Sequence, residues 1–463
     1  MAGKYEIDMC SGSLFPKIVK FSIPVILTSL LQLLYNAVDI IVVGRYVGST
    51  ALAAVGSTSS LINLIVNAFI GLSVGTGVLL AQSVGANDYD KAHDTVHTAM
   101  LTSLVGGIMV SIFGFFSCRA LLHAMGSPDD VIDQATLYMK IYFLGMPAFM
   151  IYTFGSVIMR TVGDTKRPLF FLSISGLVNV VLNLITVIKF DMGVAGVAIA
   201  TIVSQYISAI FVVLSLIKTD GICRLYLKEL KIHGATLLKM VKIGLPVAIQ
   251  SSIFSFSNVI IQSSINSFGS DTVAGNAAAA NIEGFLYSIM NAFGQAATTF
   301  SGQNFGAKQF RRVNSTLKIC LLFTGAVGLV LGPLLYVFGT PLLKIYSPDN
   351  LNAIYFGMIR LKYICLLYVT CGIMEVFTGV IRGTGSTVMP MVVSIFGVCG
   401  VRIVWIFTAF QYVHTLDCLY LSYVLSWTFT SLVHFFCYLY IKKKVLKPSD
   451  KTIPQAAFKT TEQ

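Results

Sequence analysis

Read from the amino terminus, the chain alternates long, nearly unbroken apolar runs with short polar segments. A run such as VILTSLLQLLYNAVDIIVV is too long for a strand of a membrane barrel, whose segments are about 10 residues with period-two alternation. Helices are the expectation. The loop signals between runs predict them near 18–43, 52–81, 95–117, 138–158, 169–188, 194–218, 238–265, 275–300, 317–338, 355–381, 390–411 and 418–441. Each is close to the ~20 residues that a bilayer core requires. The fold class predicted is an all-α polytopic membrane protein with twelve transmembrane helices. The first run keeps polar residues inside it and lacks a small-residue cleavage site, so it reads as a retained helix rather than a signal peptide.

Composition agrees, with 56% hydrophobic and 11% charged residues over 463 positions, where a soluble domain carries about 25% charged. The nine cysteines show no CxxC and mostly lie in apolar runs, which suits neither a disulfide framework nor a metal site. The formal net charge is +12, but the basic residues are dispersed between spans and form no aromatic-interleaved patch, which excludes nucleic acid as a partner. Their placement follows membrane topology instead. With both termini and the even-numbered loops on one side, that side collects all of the 32 Lys and Arg except Arg45, Arg119, Lys140, Lys189, Lys344, Arg360, Lys362 and Arg402. The positive-inside bias therefore puts both termini in the cytoplasm. Only the acidic loop NDYDKAHD dissents.

The chain repeats itself at a nearly constant offset. Gln82, Gly85, Ala86 and Tyr89 recur as Gln303, Gly306, Ala307 and Phe310, displaced by 221; Arg160, Gly163 and Pro168 recur as Arg382, Gly385 and Pro390, displaced by 222. Pro24 matches Pro246 at 222, and Ser127, Pro128 and Asp129 match Ser347, Pro348 and Asp349 at 220. The offset spans six helices, an even number, so the halves are parallel six-helix repeats around an axis along the membrane normal. This divides the chain into a first lobe over 1–218, a cytoplasmic linker helix over 219–235, a second lobe over 236–441 and a basic tail over 442–463. Two equal bundles flanking a cleft suit alternating access.

Intramembrane polar groups usually face the bundle interior. The first span carries Gln32, Tyr35, Asn36 and Asp39 at i, i+3, i+4 and i+7, one helical face. Asp39 reads either as a hydrated structural carboxylate near the outer interface or as a proton- or cation-binding group, with Na⁺ as one occupant. The fifth span presents Gly176, Asn179 and Asn183 on one face, where the asparagines either serve interhelical hydrogen bonding or join Gln32, Asn36 and Asp39 in a proton- or cation-coupling cluster. The seventh span has Ser251, Ser255, Asn258 and Gln262, a stripe without a charge; with Tyr35 and Gln250 these are candidate cleft residues. Glu283, Glu375 and Arg402 read as a structural Glu–Arg pair in preference to a second coupling site. There is no Walker A sequence, HExxH or Cys/His cluster, so neither ATP hydrolysis nor zinc catalysis is supported.

LLYNAVDIIVVGRYVGSTALAAVG, LLAQSVGANDYDKA, RTVGDTKRP and GVAGVAIATIVSQ together resemble the multidrug and toxic compound extrusion (MATE) transporters along nearly the whole chain. The resemblance implies a bacterial plasma-membrane antiporter that expels organic cations or other amphipathic small molecules in exchange for H⁺ or Na⁺, with no other cofactor. It matches Asp39 to the family's carboxylate in the first helix, Gln32 to its cleft partner and Asn179 to a fifth-helix asparagine of the same cluster. Where many relatives have LDP in the fifth helix this chain has LNL, so Asn183 replaces a carboxylate, and the neutral Gln250 stands where some carry a glutamate. Both departures resemble the DNA-damage-inducible branch, in which the first lobe does the work. The expected partners are drug-like or metabolite substrates and membrane lipids, and the expected state is a monomer. The rival reading is a flippase for a lipid-linked saccharide or peptidoglycan precursor, whose cleft would need positive charge for a pyrophosphate.

Overall fold

The computed structural model describes residues 6–125, 129–346, 348 and 350–445. Ser127, Pro128, Ser347 and Asp349 of the repeat matches lie outside the described residues, as does most of the basic tail. Among the described residues the chain is helical, without strands. The first half holds α1 (Leu14–Val42), α2 (Ser49–Gly85), α3 (Tyr89–Ala124), α4 (Asp129–Leu144), α5 (Met146–Thr161), α6 (Lys166–Asn183) and α7 (Gly193–Lys218). The second holds α8 (Gly234–Asn266), α9 (Ser270–Gly306), α10 (Phe310–Val337), α11 (Gly339–Tyr346), α12 (Leu351–Leu366), α13 (Val369–Gly383), α14 (Val388–Ser394), α15 (Val401–Phe407), α16 (Ala409–Tyr412) and α17 (Leu416–Lys444).

Among the described residues nine helical segments are long and apolar enough to cross a bilayer, and two bent pairs raise that to eleven. The bent pairs correspond to the predicted fourth and tenth helices. α4 meets α5 at 48° and α12 meets α13 at 46°. At the first bend, Gly145 is followed by Pro147 near the start of α5, and a proline there has no N–H to continue the preceding ladder. The predicted eighth helix is α9, whose 37 residues span about 55 Å. It is richer in polar residues than its neighbours because most of its faces pack against α2, α10, α12 and α13 instead of lipid. α1 continues through a wide π turn, Val43–Val47, that stops at Gly48 with φ of 112°, a conformation that favours glycine.

The lobes are not separate bundles. The first half of α1 joins the second lobe's core, where Ile18, Phe21 and Val25 cluster with Phe300, Val313 and Val380, and its second half packs on α6 of the first lobe. α8 makes the reciprocal crossing onto α2. Glycines let those two backbones touch: a Cβ on Gly71 would lie 2.5 Å from Ala248 Cα, and one on Gly75 would lie 2.3 Å from the Met240 carbonyl oxygen. The repeated QxxG motifs interlock likewise, Gly85 against the Gln303 carbonyl and Gly306 against the Gln82 carbonyl.

The linker corrects an expectation. Within 219–235 only Leu227–Glu229 forms a short 3₁₀ turn before α8 begins. The segment is instead an irregular strap, turned on itself at Gly221–Arg224 and Tyr226–Glu229 and tied by its backbone to α3. Tyr226 N donates to His97 Nε2 at 3.0 Å and His233 N to Thr98 Oγ1 at 3.1 Å, both on α3. Cys223 and Leu225 are buried in the first-lobe core. With Tyr226 N and His233 N paired to α3 and Cys223 and Leu225 buried, the strap is anchored without a helical ladder.

Candidate functional site

Helical periodicity places Gln32, Tyr35, Asn36 and Asp39 on one face of α1, and that face opens on a first-lobe cavity of about 480 Å³. Asn179 and Gly176 reach the same cavity from α6. At its edge Asn183, fully buried, donates from Nδ2 to Asp39 Oδ1 at 2.5 Å and to Asn179 Oδ1 at 3.2 Å. Asn179 in turn donates to Thr201 Oγ1 at 3.5 Å, and the Thr201 hydroxyl contacts the Asp39 carboxylate. Asp39 is thus held by amide and hydroxyl groups and forms no ion pair among the described residues.

The cluster contains spare acceptors. Asn183 Oδ1 is buried without a hydrogen-bond partner, and unmet acceptors in an apolar setting are costly. Asp39, Asn179, Asn183 and Thr201 together offer oxygen atoms only, the donor type that hard cations select. A proton on Asp39 or a Na⁺ among these oxygens would fit that donor set. The regular turns of α6 end at Asn183 and give way to the π turn Leu184–Lys189, a widening often found at functional sites.

The rest of the wall is aromatic, aliphatic and neutral polar. Tyr35 lies directly on Gly176, where a Cβ would come within 1.8 Å of the Tyr35 ring carbon Cζ. Tyr138 and Tyr142 of α4 stack with ring centroids 6.1 Å apart, and Thr201 and Gln205 contribute from α7. The polar-stripe reasoning applied to α1 and α6 overlooked these four. Each pair is spaced i, i+4, so the same test carried along α4 and α7 would have found them. Among the described residues Asp39 is the one formally charged side chain lining the cavity.

The second-lobe candidates are engaged elsewhere. Gln250 accepts from Arg382 Nη2 at 2.7 Å, Asn258 from Arg402 Nη1 at 3.3 Å and Gln262 from Asn276 Nδ2 at 3.1 Å. Ser255 donates to the Ser251 carbonyl of its own helix. None of the four lines the first-lobe cavity. The expected pairing of Arg402 with Glu283 or Glu375 is corrected. Arg360 takes Glu283 in a bidentate pair, with Nε to Oε2 at 3.1 Å and Nη2 to Oε1. Its Nη1 also donates to Asn276 Oδ1 at 2.5 Å, which accepts from Tyr420 as well. Arg402 instead lies 4.1 Å over the Tyr423 ring and donates to Ser426. Glu283 on α9 faces α12, which packs along α9 and carries Arg360.

The MatE family profile matches residues 24–185 and again 246–408, starting points 222 residues apart. Among curated relatives, probable multidrug resistance protein YpnP of Bacillus subtilis is 28% identical over 390 residues, covering 84% of this chain and 86% of its own. Probable multidrug resistance protein YoeA of the same organism is 26% identical over 393 residues, covering 83% and 84%. Probable multidrug resistance protein NorM of Thermotoga maritima is 24% identical over 406 residues, covering 86% of each. In fold, an outward-facing MATE transporter of the MOP superfamily superposes with a TM-score of 0.88 at 21% identity, over 96% of this chain and 99% of that one. A double match to one repeat profile, laid over a helical bundle with two interlocked lobes, leaves one conclusion: the chain belongs to the MatE family and is a multi-pass membrane transporter with two six-helix repeats.

Proposed function

We propose that this protein is a secondary antiporter of the bacterial plasma membrane that exports organic cations or amphipathic drugs in exchange for H⁺ or Na⁺. The carrying observation is a cavity of about 480 Å³, the size of a drug-binding pocket, whose single formal charge among the described residues is Asp39. A cationic substrate and a coupling cation would compete for that carboxylate, and competition for one site is the simplest way to exchange them. The positive-inside bias supports cytoplasmic termini.

In this reading an external proton binds a carboxylate oxygen of Asp39, or Na⁺ binds between Asp39, Asn179 and Asn183. Neutralising the charge weakens the hold on an organic cation, which leaves outward. Asp39 lies on the half of α1 that packs on the first lobe, while Phe21 lies on the half packed in the second, so α1 joins the ion site to the lobe interface. Pro24 interrupts the hydrogen-bond ladder between them.

Ethidium efflux from a pump-deficient bacterium tests the assignment. Asp39→Asn should abolish efflux at equal expression, and undiminished efflux would overturn the role of Asp39. Proteoliposomes driven separately by a pH gradient and a Na⁺ gradient identify the coupling ion.

A further inference from the structure

A second cavity, of about 100 Å³, lies between the lobes in the half of the molecule that carries the termini. Arg160 of α5 and Arg382 of α13 both line it, together with Asn291 and Gln295 of α9 and Glu375 of α13. The two arginines are one repeat pair, 222 residues apart. The pseudo-symmetry therefore turns two guanidiniums toward one space, one from each lobe.

Neither is held by a carboxylate at ion-pair distance among the described residues. Arg160 donates from Nη1 to Gln295 Oε1 at 3.1 Å, a neutral acceptor whose own Nε2 is committed to Asn291 Oδ1 at 2.7 Å. Arg382 donates from Nη2 to Gln250 Oε1 at 2.7 Å, and its Nε is buried without a partner. A guanidinium offers five N–H donors, so most of the donors here are uncommitted. Among the described residues Glu375 is the sole acidic one in the wall, which leaves a formal charge of +1.

The two guanidiniums are half-buried and face the same space with Glu375 alone to offset them, and positive charge left uncompensated in such a setting is costly. Water can solvate them but cannot neutralise them. An oxyanion does both, because a guanidinium fork matches a carboxylate or phosphate edge bidentately. The volume sets the size. A single water occupies about 10–15 Å³ on this measure, so the cavity admits a small oxyanion with a few waters and excludes a drug.

We propose that this inter-lobe cavity binds a small oxyanion, a carboxylate or phosphate group, clamped between Arg160 of the first lobe and Arg382 of the second. The clamp needs both lobes in the joined arrangement seen here. By linkage, the bound anion favours that arrangement over one in which the lobes part on this side. The site uses no residue of the first-lobe cavity and stands apart from the export reading.

The test is thermal unfolding of the purified full-length protein, read by tryptophan fluorescence, as sodium phosphate or acetate replaces chloride at constant ionic strength. Wild type should gain a saturable rise in Tm, and the Arg160→Gln/Arg382→Gln double variant should lose it. Glu375→Gln removes the competing carboxylate and should tighten binding roughly tenfold. That opposite sign decides the matter if the double variant fails to fold. Nanodiscs of phosphatidylcholine with and without phosphatidylglycerol separate two sources of the phosphate. A saturable response to free phosphate assigns a soluble anion; stabilisation by phosphatidylglycerol alone, lost in the double variant, assigns a lipid headgroup. No saturable response from either source, or variants that respond as wild type does, would overturn the proposal.

Discussion

Gln82 Nε2 donates to the Gly383 carbonyl across the lobe boundary at 2.9 Å. Its repeat partner Gln303 donates to the Thr161 carbonyl at 2.6 Å, and Thr161 and Gly383 are themselves 222 residues apart. Each lobe therefore reaches across to cap the end of the same helix in the other. The two bonds, with the contacts of Gly85 and Gly306, close the molecule on the side that carries the termini.

Breaking one of these bonds leaves a carbonyl unpaired and should cost about 1 kcal/mol. In Gln82→Ala or Gln303→Ala, amide exchange in segments 80–86 and 300–307 should quicken about fivefold. Hydrogen–deuterium exchange measured by mass spectrometry checks this, and unchanged rates in both variants would count against an interlobe seal.

Asn183 is the direct support of Asp39. Asn183→Leu removes both its donor and its unpartnered acceptor while nearly keeping the volume. A hydrogen bond to a charged group contributes about 1.5–3 kcal/mol, and this one favours the ionised carboxylate. A coupling proton should therefore bind about tenfold or more tightly in the variant, whereas a coupling Na⁺, which loses the Asn183 oxygen as a ligand, should bind more weakly. Transport into proteoliposomes over a range of ion concentrations measures it.

The contact between Tyr35 and Gly176 leaves no room for a methyl group. Gly176→Ala should destabilise the protein by about 1–3 kcal/mol through overpacking. Adding Tyr35→Ala should recover most of the lost Tm, because the obstructing ring is then gone. Detergent-solubilised thermal stability separates the single from the double variant.

The bidentate Glu283–Arg360 pair is nearly enclosed, with side-chain exposures of 15% and 7%. Glu283→Gln strands a buried guanidinium and should cost about 3–5 kcal/mol. Replacing both partners with methionine should restore stability, since no buried charge then remains. Drug binding in the first-lobe cavity should be unaffected in the double variant, a readout available from ethidium fluorescence.

Local periodicity was enough to determine the helices, the duplication and the face of α1 that bears Gln32, Tyr35, Asn36 and Asp39. A 3.6-residue repeat assigns residues to a face from sequence spacing alone, and a constant offset between two halves requires no coordinates. What a face touches is a different matter. Asn183 meets Asp39 from 144 positions away, and Glu283 chooses Arg360 over Arg402 because it is α12 that packs along α9. The exchange of α1 and α8 between lobes is likewise invisible in hydropathy, since an apolar face looks the same whichever partner buries it. The linker shows the same limit. Its composition permits a helix, but α3 supplies hydrogen bonds that an irregular strap can take, and only packing decides between them.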